Sequence, residues 1–413
     1  MSSLRYLRLF EGYSRSTWIG QIQERPDREK FVEFFHTYSS LKMSEQDLQQ
    51  LLKLDKEFAQ VRELRKSSYM KEVLNLDEER DRFFAALKEG KVYNPVFRHH
   101  PHPYDRNRMV ERGQALIQKF RKLDCFLSPY YIGKLEFLVT FGKIKKMDLD
   151  SPAYGRAMLE LYGSKINPSL LAEAERIIAK HPYKKRSESS KKISAQELAK
   201  LVKQELEKLG YDKWKVIISD KIIPRMSVQD KYTVSINAGA SFTKQDIPGL
   251  LAHEVKGHVG RRFYGDKTGL NLFLSGLPGK NQFDEGLAIY NSLQVKTPKP
   301  NVLFNIAFFV VLASKCHELD FYELFQFGKQ YIPNDDKKLF SKVMRIKRIC
   351  HDTSLLAGDL EEQEYLSGYL LVAKMTDEQR EEILKYNIGP EQFGELDRIK
   401  AFLRLNGFIG PDA

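Results

Sequence analysis

Two histidines five residues apart constrain this chain more than any other feature of it. They stand in Leu250-Leu251-Ala252-His253-Glu254-Val255-Lys256-Gly257-His258-Val259-Gly260-Arg261, and Asp284-Glu285-Gly286-Leu287-Ala288 follows across a loop. On an α-helix, residues at i and i+4 lie about 40° apart, whereas i and i+5 lie about 140° apart. His253 and His258 can therefore face one ion only where the helix is locally rewound. A π-bulge absorbs one extra residue and is found often at functional sites. Gly257 is the expected place for it, because glycine tolerates backbone conformations that other residues avoid. Two imidazoles, a carboxylate and an open fourth position are the inventory of a zinc hydrolase. Glu254 stands where metallopeptidases keep their general base. The bland reading is two ordinary helix histidines in a chain that has nine.

The rest of the chain sets the frame. A length of 413 residues with 42% hydrophobic content implies two or three structural units with ample core. Cys125, Cys316 and Cys350 are far apart and odd in number, which argues against a disulfide framework and for a reducing, cytoplasmic compartment. Arginines interrupt the N-terminal stretch Leu4-Arg5-Tyr6-Leu7-Arg8, so it has no apolar signal core. The net charge of +12 suits an acidic protein substrate. Zinc-finger spacing and RNP-like aromatic motifs are absent, which disfavours nucleic acid as the main partner. Val302 to Ala313 is the most apolar run, too short for the roughly 20 residues a membrane span needs, and is expected to be a buried helix.

Taken in order, residues 1–90 read as helices, one opening at Ser44-Glu45-Gln46-Asp47. His99, His100 and His102 fall in a proline-containing loop and read as incidental surface residues. Helical spacing resumes from 105 to 181, and residues 183–192 form a charged, flexible loop. Ser194-Ala195-Gln196-Glu197 is a capping box. Trp214 to Ile218, Arg225 to Val228 and Tyr232 to Ile236 are strand candidates. Either Arg225 to Val228 or Thr233 to Ile236 could be an edge strand on which an extended peptide pairs. The histidine helix is expected to start after Asp246 as N-cap, with Pro248 in its first turn. Glu285 is expected to open the next helix, and Thr376-Asp377-Glu378-Gln379 a later one. His351-Asp352 reads as a structural pair.

These residues resemble the tyrosine carboxypeptidase family, which includes the microtubule-associated tyrosine carboxypeptidases of animals. Its bacterial members are often labelled flavohemoglobin expression-modulating proteins with a QEGLA motif. The resemblance rests on His253 to Arg261 and on Glu285-Gly286-Leu287-Ala288. Weaker support comes from Asn94-Pro95-Val96-Phe97, Arg225-Met226-Ser227-Val228, Asp352-Thr353-Ser354 and Tyr365-Leu366-Ser367-Gly368. Asp284 stands where the family has Gln or Glu, which bears on the contacts around the ligands and not on the ligand set. The resemblance implies that His253, His258 and Glu285 bind one zinc ion and that Glu254 is the catalytic base. It also implies release of a C-terminal Tyr or Phe from a protein or peptide.

The expected fold is α+β and predominantly helical, with a gluzincin-like core, a small sheet, an N-terminal helical region at 1–90 and the peptidase domain at 91–413. A carboxypeptidase needs a cation for the substrate's terminal carboxylate, and arginine's planar fork suits it. Arg225, Arg261, Arg262 and Arg348 lie nearest the motifs. Tyr290, Tyr365, Arg261 and Arg348 are candidate oxyanion donors. An aminopeptidase would instead need carboxylates for the substrate amine. An endopeptidase would share the metal site but need no terminal clamp. A non-catalytic regulatory or nucleic-acid-binding protein is disfavoured by Glu254, since a structural zinc site has no use for an adjacent base.

Overall fold

The structure, a computed structural model, describes residues 38–65, 73–99, 106–148, 151–163, 165–185, 192–220, 225–229, 232–296 and 300–410. His100, His102, residues 1–37 and the middle of the charged loop, 186–191, lie outside them. Among the described residues helices dominate, and the sheet structure is five short strands: β1 Lys192–Ile193, β2 Lys215–Ser219, β3 Met226–Gln229, β4 Thr233–Asn237 and β5 Phe242–Thr243.

All three strand candidates form one sheet in the order β2-β4-β3. β4 is central, parallel to β2 and antiparallel to β3. Val234, Ser235 and Ile236 are all buried, as a strand covered on both faces requires. This corrects one expectation. Thr233 to Ile236 cannot take up a peptide, because β4 already spends its ladder on two neighbours. Of the two segments considered, β3 is the one at the sheet's edge among the described residues, and it packs against the histidine helix.

Three large hydrophobic clusters make up most of the core among the described residues, and one of them takes in the histidine helix. The helix Ala195–Lys208, opened by the Ser194–Glu197 capping box, covers the sheet and meets Val255 and Val259. A second cluster joins the helices Glu45–Glu63, Arg106–Lys122 and Ser128–Ile144 to Leu272, Phe283, Leu287 and the C-terminal helix Leu396–Leu405. The third is built on the apolar helix Val302–Lys315, where Phe304 and Ile306 to Ala313 are buried. Phe83, from the helix Leu76–Lys88, packs there edge-on against Phe321 and Phe325 and at a tilt against Phe340. Helices from before residue 90 thus share cores with the chain beyond it. Among the described residues no helix is long and apolar enough to cross a membrane. Cys125, Cys316 and Cys350 are free and buried.

Candidate metal centre

The histidine helix is a continuous rod that changes its winding twice. Ile247–Leu250 is α-helical, Leu251–Val259 is π-helical, and Gly260–Lys267 is α-helical again. The amide of Gly260 donates to the carbonyl of Val255, five residues back. Winding of this kind stacks i over i+5, so His253 and His258 share a face, their ring centroids 4.9 Å apart and their planes at 82°. The rewinding occupies nine residues and is not a single bulge at Gly257. Gly257 is needed for a different reason. A Cβ there would meet the Ala288 Cβ at 2.9 Å and its Cα at 3.0 Å, so the missing side chain lets the next helix approach. Asp246 does precede the rod with Pro248 in the first turn, but its carboxylate does not cap. It accepts instead from Arg225 and from the Thr243 amide.

The second ligand helix is Lys280–Leu293, entered through Gly279 in the left-handed region. It starts earlier than expected, which places Glu285 in its second turn. On its other side it crosses the helix Gln363–Val372. A Cβ on Gly286 would lie 2.4 Å from the Gly368 backbone, and one on Gly368 1.9 Å from the Gln282 carbonyl oxygen. The Glu-Gly-Leu-Ala and Tyr-Leu-Ser-Gly segments are therefore the two halves of one crossing. The helix bearing Glu285 is pressed between Gly257 and Gly368.

This packing brings the predicted ligands together. His253 Nε2 and His258 Nε2 each lie 3.8 Å from Glu285 Oε2, and the three ligand atoms fall within 4.8 Å of one another. A separation of 3.8 Å is too long for a hydrogen bond. It is close to the spacing of roughly 3.4 Å between donors bound tetrahedrally at about 2.0–2.1 Å. The donor set of two neutral imidazoles and a carboxylate suits zinc. No other such cluster of three occurs among the described residues. The chain therefore presents a site able to hold a metal ion at His253, His258 and Glu285.

The remaining charges organise the site. His258 Nδ1 lies 3.1 Å from Asp284 Oδ1, in a contact bent away from ideal hydrogen-bond geometry, and neither atom has another hydrogen bond among the described residues. That leaves Nε2 free to face the metal position, as a ligating histidine backed by a carboxylate requires. Lys280 Nζ donates to the other oxygen of Asp284. Burial would raise the Asp284 carboxyl, but Lys280 and His258 outweigh it and hold it well below the carboxylate range. Burial likewise opposes the charge on His258, yet Asp284 and Glu285 bring it up to about 8. Burial, aided by the charge of His258, drives His253 down to about 3. Glu254 is pushed up to about 7, chiefly by burial, with His258 pulling the other way. It has no hydrogen bond or ion pair among the described residues, and its oxygens remain accessible.

The arginines named from the sequence are spread over different tasks. Arg261 is fully buried; its Nη2 donates to the Ile388 carbonyl at 2.6 Å and its Nε lies 3.9 Å from Asp284. A side chain with no surface cannot touch a substrate, so its expected clamp role gives way to supporting Asp284. Arg262 donates to the His258 carbonyl. Arg225 lies over the Phe242 ring and binds Asp246 and the Ser241 carbonyl. Arg348 faces the carboxylates of Asp359 and Glu362, at 3.9 and 3.5 Å. Tyr290 lies under the Arg380 guanidinium. Tyr365 lies on the helix that crosses that of Glu285, and burial, then the charge of Glu285, hold its hydroxyl well above the usual range.

Sequence reasoning passed over Arg345, one turn before Arg348. Its guanidinium lies 5.2 Å from the ring centroid of Tyr365, on the helix that crosses the Glu285 helix. It passed over Asp284 and Lys280 as a pair as well, although their i, i+4 spacing on a helix was a usable signal.

The weaker segments also meet. Val96 bridges Asp352, Thr353 Oγ1 donates to the Pro95 carbonyl at 2.7 Å, and the Phe97 amide donates to the His351 carbonyl. His99 bonds the Arg348 carbonyl at 2.7 Å, a structural strap at the end of the Arg345 helix, Asp336–Lys347. A search of curated proteins found no match. Comparison with protein families matches residues 82–387, most of the chain and all of the segments just described, to the family named microtubule-associated tyrosine carboxypeptidase. With this match standing over the ligand cluster, the chain belongs to the microtubule-associated tyrosine carboxypeptidase family.

Proposed function

We propose that this protein is a zinc-dependent carboxypeptidase that removes a C-terminal aromatic residue, Tyr or Phe, from a protein or peptide. The observation that carries this reading is the π-wound segment that sets His253 and His258 on one face toward Glu285, with Glu254 on the same turn. Two histidines and the base on one helix, with a glutamate on the next, is the arrangement of a gluzincin-like core.

Zinc, when bound, supplies a Lewis acid for the scissile carbonyl and makes hydroxide available near neutral pH. The chain's own groups do the rest. Glu254, accessible and unpaired, takes the proton of the attacking water and delivers it to the leaving amine. The Tyr365 hydroxyl donates to the oxyanion that develops on the carbonyl. Asp284, charged and backed by Lys280, orients the His258 ring. β3, at the sheet's edge among the described residues and beside the histidine helix, offers main-chain hydrogen bonds to an extended substrate whatever its sequence. The net charge of +12 favours acidic protein ends. Three free thiols suit a cytoplasmic setting.

An aminopeptidase reading is disfavoured at this site, because the nearby carboxylates Asp359 and Glu362 already face Arg348 and Arg345. The test is mass spectrometry of peptides ending in Tyr, Phe, Leu or Lys, incubated with wild type and Glu254→Gln. Loss of one C-terminal aromatic residue with wild type alone is expected. Internal or N-terminal cleavage would keep the metal chemistry and discard the specificity.

A further inference from the structure

A carboxypeptidase must find its cation within about one residue of the reacting carbonyl. One residue of extended chain spans at most about 3.3–3.6 Å, so the carboxylate of the terminal residue is held beside the metal ligands, not elsewhere in the fold. That requirement removes Arg225, tied to Asp246 at the sheet, and Arg261, sealed beneath Asp284, while Arg262 spends a terminal nitrogen on the His258 carbonyl. Arg345 meets it: its guanidinium lies 5.2 Å from the Tyr365 ring centroid, and the helix of Tyr365 crosses that of Glu285 at Gly368 and Gly286, one residue from the ligand.

Its fixing is as informative as its place. Arg345 Nε donates to Glu362 Oε1 at 2.6 Å, and Glu362 is itself buried. The guanidinium lies 4.7 Å from the Phe309 ring centroid and 5.2 Å from that of Tyr365. Anchoring through Nε and contact with two rings fix the plane of the group. Its terminal nitrogens carry no hydrogen bond among the described residues, and 34% of the side chain stays accessible. Arg348, by contrast, is 15% accessible and has a terminal nitrogen engaged with Glu362 and Asp359. A purely structural ion pair would engage the fork. Here the stem is held and the fork is left open, the geometry that accepts a carboxylate at two points.

We infer that Arg345, positioned by Glu362 and flanked by Phe309 and Tyr365, is the residue that binds the α-carboxylate of the substrate's C-terminal residue. The assignment rests on the carboxypeptidase reading above and makes it specific. Glu362 acts through Arg345 and is a positioning residue.

The test compares one peptide ending in Tyr as the free acid and as the C-terminal amide, using the full-length, zinc-loaded protein. Wild type is expected to process the acid with a kcat/KM at least about 100-fold above the amide, the scale of charge-assisted hydrogen bonds lost with the carboxylate. Arg345→Gln is expected to lose that preference by lowering the acid to the level of the amide, with zinc still bound at one equivalent. Arg345→Lys keeps the charge without the fork and covers the case in which glutamine is not tolerated. Its preference is expected to fall at least about tenfold. Glu362→Gln is expected to raise KM for the acid alone. Folded, zinc-loaded Arg345→Gln or Arg345→Lys that retains the full preference for the acid would overturn the assignment and leave the carboxypeptidase reading intact. Wild type that cleaves acid and amide equally would overturn both.

Discussion

Replacing Gly368 with alanine probes the crossing that places Glu285. The new Cβ would sit 1.9 Å from the Gln282 carbonyl oxygen, 2.8 Å from the Gln282 carbonyl carbon and 3.2 Å from the Gly286 Cα. Ordinary contact begins near 3.4 Å, so the two helices must part by about 1.5 Å, and no flexible side chain is there to give way. Overpacking of this kind costs about 1–3 kcal/mol, which corresponds to a fall in melting temperature of roughly 1–4 °C for a chain of this size. The functional effect should be larger. Glu285 lies one turn beyond Gln282, and its Oε2 already stands 3.8 Å from both histidines. A shift of about 1 Å is enough to cost on the order of 100-fold in activity. The assay is a thermal melt with a zinc titration against a chromophoric chelator, with Gly410→Ala as control because nothing lies within 4 Å of its Cβ position. Gly368→Ala with an unchanged melting temperature and unchanged zinc affinity would refute the claim that this crossing positions the ligand.

Further expectations concern the charges around the metal. Asp284→Asn should weaken zinc binding by about 10–100-fold, because His258 loses the carboxylate that orients it; equal affinities in competition titrations would contradict this. In the metal-free protein His258 holds a proton up to about 8, since Asp284 and Glu285 outweigh burial. Zinc must displace that proton, so apparent affinity should rise with pH below 8 and level off above it. In Asp284→Asn the levelling should come at lower pH, and an affinity flat between pH 6 and 9 in wild type would rule out this coupling. Chelation should also lower the melting temperature, in proportion to how tightly zinc binds the folded chain.

Much of the site is legible in the sequence because its chemistry is concentrated in two short segments. The five-residue spacing of His253 and His258 itself demands a rewound helix, and the structure has one. The reason for Gly257 is not legible: its backbone is ordinary, and what it makes room for, Ala288, lies on a different helix. Gly286 and Gly368 are likewise explained by each other and by nothing local. Arg345 and Arg348 share one helix and similar neighbours in sequence. Which of them keeps its terminal nitrogens free of hydrogen bonds among the described residues depends on the burial of Leu339, Val343 and Ile346 against the apolar helix Val302–Lys315, a tertiary fact. The apolar run at Val302 and the capping boxes at Ser194 and Thr376 agree with the structure because their signals are local. β4 cannot be told from an edge strand by sequence, since both have the same alternation of residues and differ only in their neighbours.

The account stands most directly on whether catalysis needs a metal at His253, His258 and Glu285. The protein would be stripped of metal, then given zinc in steps up to one equivalent, and the free tyrosine released from a peptide ending in Tyr would be measured at each step. The account predicts no release from the stripped protein, release rising in proportion to zinc up to one equivalent, and none at any step from Glu254→Gln. Tyrosine release from the stripped protein, or equal release by Glu254→Gln, would contradict it.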